Sequence, residues 1–158
     1  MFFTRKREEN NLKELSVNII SQVTNFFSEE ASKYSVEMAF LYGSWARGYP
    51  RLKSDVDIAI VFSEEIDDPK QIYSFLVEIS YHLTPQLNRE VNIISLDRNF
   101  SYPMLYYNAI IGGIPLFVKD ENKFLDLKLE AIHQMEDFQL FGVRWQHQIS
   151  QEIIKELG

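Results

Sequence analysis

Two short stretches of this chain have residue types and spacing that can do chemistry: Gly43-Ser44 and, after ten intervening residues, Asp55-Val56-Asp57. A glycine that ends an apolar strand lets the backbone turn tightly and approach a ligand, and amides at the start of a following helical turn attract anions. The Ser44 hydroxyl adds a hydrogen-bonding group for a phosphate oxygen, and Arg47 reaches the same side if residues 44–48 form a helical turn. Asp55 and Asp57 stand two apart on a predicted strand, so their side chains leave the same face. Carboxylates that close repel. A hard divalent cation such as magnesium, which takes oxygen ligands and bridges carboxylates to phosphates, is the natural compensation. Alone, a Gly-Ser pair is usually a plain turn, and an Asp-X-Asp is usually two solvated acids at a strand start. Together, with the turn upstream and an apolar strand downstream, they point to a phosphate cradle beside a metal site at Asp55 and Asp57.

Strands must hold both stretches. Val36 to Tyr42 is an apolar run rich in strand formers that Gly43 stops, and Asp55 to Phe62 is a second run, apolar on both faces beyond Asp57. Pro50 and the polar residues 51–54 form the loop between them. Before the first strand, Leu12, Leu15, Ile19, Val23 and Phe26 recur at helical spacing behind Asn10 or Asn11, either of which can cap, and predict a helix ending near Lys33. Ahead of it, Arg5-Lys6-Arg7 is followed at once by Glu8 and Glu9, which reads as a solvated terminus. Asp67 or Asp68 before Pro69 starts another helix that keeps its spacing to Thr84-Pro85. Glu90 to Leu96 is a third strand, Ser101 to Ile111 a short helix, and Pro115 to Val118 a last strand, at an edge because Pro115 cannot donate to a ladder.

From Asp120 the chain keeps helical spacing almost to its end, through Phe124, Ala131, Phe138, Phe141, Trp145 and Ile153 among others. One unbroken helix there would span on the order of 50 Å at about 1.5 Å per residue, more than a core of this size needs. It therefore either breaks near Gly142 and packs on its own core or projects and meets a partner in a homo- or hetero-oligomer, with Phe138, Phe141 and Trp145 as an aromatic patch.

The bulk composition bounds what such a site serves. At 158 residues, 46% apolar and 14% aromatic, the chain is expected to form one domain over 1–158, with a core of about 12–118 and a helical extension of about 120–157. A net charge of −7 argues against direct nucleic-acid binding, which draws its affinity from lysine and arginine at phosphates. A nucleotide can still bind an acidic protein when metal ions carry the positive charge. The absence of cysteine rules out disulfides and thiolate metal sites and suits a reducing compartment. No run resembles a signal peptide or a membrane span, so the expected location is the cytoplasm, with no membrane partner. His82, His133 and His147 lack metal-ligand spacing. Tyr102, Tyr106 and Tyr107 either stack on a base or fill the core, and Asp97 reads as a turn or cap residue.

Gly43-Ser44-Trp45-Ala46-Arg47-Gly48 with Ser54-Asp55-Val56-Asp57-Ile58 resembles the signature of the polymerase-beta-like nucleotidyltransferases in their minimal form (MNT). Val91 to Leu96, Tyr106 to Phe117 and the helix after Asp120 are similar to the later part of the MNT antitoxins encoded beside HEPN-domain toxins. The resemblance implies an α/β (α+β) fold, a mixed sheet flanked by helices with a long C-terminal helical segment. It also implies ATP at the Gly43-Ser44 turn with Arg47 beside it, two magnesium ions at Asp55 and Asp57, and transfer of AMP to a tyrosine of a HEPN toxin. The chain departs from the pattern at Asn92, which stands where the family carries a third carboxylate. An amide can ligate magnesium weakly but cannot take a proton. Glu90, two residues earlier on the same predicted strand, is the alternative occupant of that role. A second implied function is a catalytically degenerate antitoxin that neutralises its HEPN partner by binding, and a third is a small-molecule adenylyltransferase.

Overall fold

The structure, a computed structural model, describes residues 2–48 and 50–157; Met1 of the N-terminal stretch lies outside the described residues. The elements are α1 (Phe2–Glu30), β1 (Val36–Tyr42), α2 (Ser44–Arg47), β2 (Val56–Phe62), α3 (Pro69–Leu87), β3 (Val91–Ser95), α4 (Pro103–Ile110), β4 (Ile114–Val118) and α5 (Glu121–Leu157). The strands form one mixed sheet in the order β3-β2-β1-β4. β1 is antiparallel to both β2 and β4, and β2 is parallel to β3. A parallel pair needs a long crossover, and α3 supplies it. β4 is an edge strand, as its proline requires.

Strand alternation divides the apolar residues between two cores. Val56, Ile58, Ile60 and Phe62 face a core completed by Ile19, Val23 and Phe27 of α1 and by Ile79, Leu83 and Leu87 of α3. Ala59 and Val61 face the other side, where Tyr106, Ala109 and Ile110 of α4 and Phe124 and Ala131 of α5 close over Met38 and Phe40. Asp57 follows the parity of Ala59 and Val61, so it belongs to the α4–α5 face, at the end of the sheet where that cover stops.

Three helices differ from their sequence-based outlines. α1 begins at Phe2 rather than near Asn10, so Arg5-Lys6-Arg7 lies in an exposed helical turn, with Arg5 paired to Glu9 at 3.6 Å one turn on. α3 is capped as expected by Asp68, whose carboxylate accepts the Lys70 N–H at 3.0 Å, but it runs past Thr84-Pro85 to Leu87. Burial of Leu83 and Leu87 four residues apart outweighs the one hydrogen bond that Pro85 removes. α5 is continuous over 37 residues and does not break at Gly142, since a lone helical glycine costs only about 1 kcal/mol. Its core contacts end early. Beyond Ala131, Phe138, Phe141, Trp145 and Ile154 are exposed. Among the described residues no helix is long and apolar enough to cross a membrane.

Candidate active site

The β1–β2 and β2–β3 registers place Tyr42, Asp57 and Asn92 in one row across three strands. Asp55 sits just before the first residue of β2 and is exposed, whereas Asp57 is half-buried within the ladder. The Asn92 amide nitrogen donates to both, at 3.2 Å to Asp57 Oδ1 and 3.4 Å to Asp55 Oδ2. Burial pushes the Asp57 carboxyl above the usual carboxylate range and the Asp55 charge adds to the rise, while the Asn92 hydrogen bond works against it. The phenol of Tyr42 is pushed up to about 12 by burial and then by the Asp57 charge.

The turn after β1 meets this pair directly. Gly43 has φ +75°, and a Cβ built on it would collide with Asp57 Oδ2, so both the conformation and the space exclude a side chain. Ser44 to Arg47 then form one helical turn, with the Arg47 N–H donating to Gly43 O at 3.0 Å and Gly48, at φ +81°, closing it in the left-handed region. Gly43 is therefore brought against Asp57, and Ser44 follows it at the start of the helical turn. The Arg47 side chain is exposed on the last turn of α2.

Glu90 is placed differently. It precedes β3, its side chain is exposed, and its carbonyl accepts the Val56 N–H at 2.9 Å. Among the described residues no three Asp, Glu, His or Cys side chains converge on one point, so Glu90 does not make the aspartate pair a triad. Asn92 is the third side chain at the cluster. The two carboxylates are nonetheless hard oxygen donors, and magnesium is commonly held by one or two carboxylates with substrate phosphates completing its shell. Among the described residues no lysine, arginine or histidine pairs with Asp55 or Asp57. The residues present thus fit a divalent cation.

A family model for the polymerase beta nucleotidyltransferases matches residues 21–122, well over half of the chain. The chain belongs to that family. The match runs from α1 through the start of α5 and includes the glycine turn, both aspartates and Asn92. Among solved structures, this nucleotidyltransferase is similar to a chain of a toxin–antitoxin complex with AMP-PNP, at 19% identity and a TM-score of 0.57, covering 82% of this chain and 98% of that one. It is also similar to a chain of the tri-AMPylated Shewanella oneidensis HEPN toxin in complex with MNT antitoxin, at 14% identity and a TM-score of 0.59, covering 82% and 98%. A third is a chain of the MntA-HepT toxin–antitoxin complex, at 14% identity and a TM-score of 0.58, covering 82% and 97%. At these identities the likeness is one of fold. No curated protein matches the sequence.

Other sequence candidates resolve on the structure. Asp97 is a turn and cap residue: its carboxylate accepts the Asn99 and Ser101 N–H groups at 2.9 and 3.4 Å and the Tyr106 hydroxyl at 2.6 Å. Tyr106 is core, whereas Tyr102 is exposed. Two residues near the site escape a reading of the sequence. Tyr42 adjoins the signature, but only the cross-strand register shows that it faces Asp57. Arg89 carries no motif signal, yet its guanidinium reaches the loop between the two halves of the signature.

Proposed function

We propose that this protein is a magnesium-dependent adenylyltransferase that moves AMP from ATP onto a tyrosine of a HEPN-type toxin partner. The observation that carries the proposal is the side-chain-free approach of Gly43 to Asp57, beside a carboxylate pair that no cation among the described residues neutralises. Fold neighbours that include a complex with AMP-PNP and a tri-AMPylated HEPN toxin support adenylate as the transferred group.

In this reading Asp55 and Asp57 supply the carboxylate oxygens that hold two metal ions. Gly43 brings the backbone close to the phosphates, and the Ser44 hydroxyl and Arg47 bind their oxygens. Magnesium, when bound, lowers the pKa of the acceptor hydroxyl and offsets charge on the attacking and leaving oxygens. The acceptor oxygen forms the new bond to the α-phosphorus as the bond to pyrophosphate breaks. Asn92 has no basic atom, so its part is to hold the two carboxylates in register, and the acceptor proton leaves to a carboxylate of the pair or to water. The exposed half of α5 is the surface offered to the partner.

Incubation with labelled ATP, magnesium and a HEPN-type toxin as acceptor tests the proposal. Label is expected on the partner with the native protein and not with Asp57→Ala. Equal labelling by both, or none by folded native protein, overturns it. The lack of a third carboxylate and the bare distal half of α5 favour a second reading, neutralisation by binding alone. Phe124 and Ala131 are core residues, so a truncation that tests this must fall beyond them. Under that reading, ending the chain after Gln139 abolishes neutralisation in cells while Asp55→Ala/Asp57→Ala retains it.

A further inference from the structure

The two aspartates are held by different means. Asp57 lies inside β2, paired on both sides, while Asp55 lies outside the strand, at the end of a loop in which Arg51, Leu52 and Lys53 are exposed. Beside the Asn92 amide at its carboxylate, what restrains Asp55 is the residue before it. The Ser54 carbonyl accepts the Trp45 indole N–H at 3.1 Å and an Arg89 Nη1 hydrogen at 3.4 Å, and Arg89 Nη1 also donates to Leu52 O at 3.2 Å. The Arg89 guanidinium stands over the Trp45 ring, 4.8 Å from its centre. Trp45 is a buried member of the core that α1, α3 and the sheet share, and the Val56 N–H donates to Glu90 O on the far side of Asp55. Arg89 Nε is buried without a hydrogen-bond partner among the described residues. The arginine therefore gives up hydration there to place its other nitrogen on the loop.

We propose that Trp45 and Arg89 form a latch on the Ser54 carbonyl that fixes Asp55 relative to Asp57, and are positioning residues for the metal site. The latch ties together the phosphate turn, through Trp45, the loop, through Ser54, and the entry to β3, through Arg89. Asp55 needs this restraint because it lies outside the ladder, no cation among the described residues pairs with it, and the Asp57 charge repels it. A planar fork that stacks on an indole while bonding two carbonyls suits arginine and not lysine.

The proposal rests on the metal-site reading above, so the test includes a readout that does not need it. Amide hydrogen exchange across residues 52–56 and binding of manganese with a non-hydrolysable ATP analogue, followed by the free-manganese electron spin resonance signal, are measured on the full chain. Arg89→Ala and Trp45→Phe, the latter losing the indole N–H together with part of the buried ring system, are each expected to speed exchange at these amides about tenfold. Manganese affinity is expected to fall about tenfold, as when outer partners of a metal site are lost, and Arg89→Lys is expected not to restore it. Unchanged exchange in both variants overturns the latch. Faster exchange with unchanged manganese affinity overturns its positioning role. Failure of the native protein to bind manganese overturns the metal-site reading instead, and exchange alone then decides the latch.

Discussion

The carboxylates at the two ends of β1 are treated in opposite ways. At its start, Glu37 is only 8% exposed, and Lys123 at 3.2 Å and Arg98 at 3.6 Å neutralise it. Opposite its last residue, Asp57 of β2 is half-buried beside a second carboxylate, with an amide as its hydrogen-bond partner. A buried charge is tolerated when the chain supplies its counter-charge. Where no cation among the described residues does so, as at Asp55 and Asp57, an external cation is the counter-charge proposed above. Asp97 belongs with Glu37 in this contrast, since neutral donors of the chain satisfy it.

The largest expected effect breaks the contrast at the uncompensated end. Asp57→Asn should lower adenylyl transfer by roughly 10³-fold, as loss of a major electrostatic contributor does. The same substitution should raise the Tm of the metal-free protein by a few degrees. Because the Asp57 pKa is raised in the folded state, its ionisation weakens folding as pH rises through that value. The gain in Tm should therefore be present at neutral pH and vanish below about pH 4, where the carboxyl is protonated folded or unfolded. Thermal melts across pH check it, and a Tm that falls at neutral pH would remove the contrast.

At the compensated end, Glu37→Ala leaves Lys123 without its acceptor, while Arg98 keeps Glu64 at 2.6 Å; both cations are half-exposed, so the change should cost about 1–2 kcal/mol by urea denaturation, with transfer per folded molecule unchanged. Tyr106→Phe removes the hydroxyl that donates to Asp97 and should cost about 1.5 kcal/mol at neutral pH. Burial pushes the Asp97 carboxyl up, but the bonds from Tyr106, Ser101 and Asn99 together hold it below the usual range. Its stabilisation is present above the unfolded carboxylate pKa of about 3.9 and is lost as pH falls through the folded value. The difference between native and Tyr106→Phe protein should therefore shrink below about pH 4. The smallest effect sharpens the comparison: Asn92→Asp should lower metal-free stability by up to about 1 kcal/mol through like-charge repulsion across the ladder. Added magnesium should then raise the Tm of this variant more than that of the native protein, which paired melts with and without the ion measure.

Much of the site was legible because its information is local. Gly43 and the Asp55–Asp57 pair are read from spacing on two strands, and β1 was outlined as it stands because its run of strand formers ends at a glycine. Asn92 against Glu90 was not decidable from alternation, since both share a parity. Only the parallel register of β3 on β2, which sets Asn92 beside Asp57 and leaves Glu90 ahead of the strand, separates them. The run of α3 past Pro85 was hidden because a local breaker signal was outweighed by the burial of Leu83 and Leu87. Likewise, the choice at Gly142 between a bent and a straight helix depends on whether a surface exists for the second half to fold back upon.

The sequence by itself determined the family, the glycine turn and the two aspartates, because a strand's two-residue period and a glycine's freedom at positive φ act over a few residues. Tertiary structure alone decided which third side chain meets them, what restrains Asp55, and how far α5 stands clear of the core. Each of those depends on residues from separate elements, Asn92 across a ladder, Arg89 across a loop, and Ala131 as the last buried residue of α5, and no local spacing encodes such meetings.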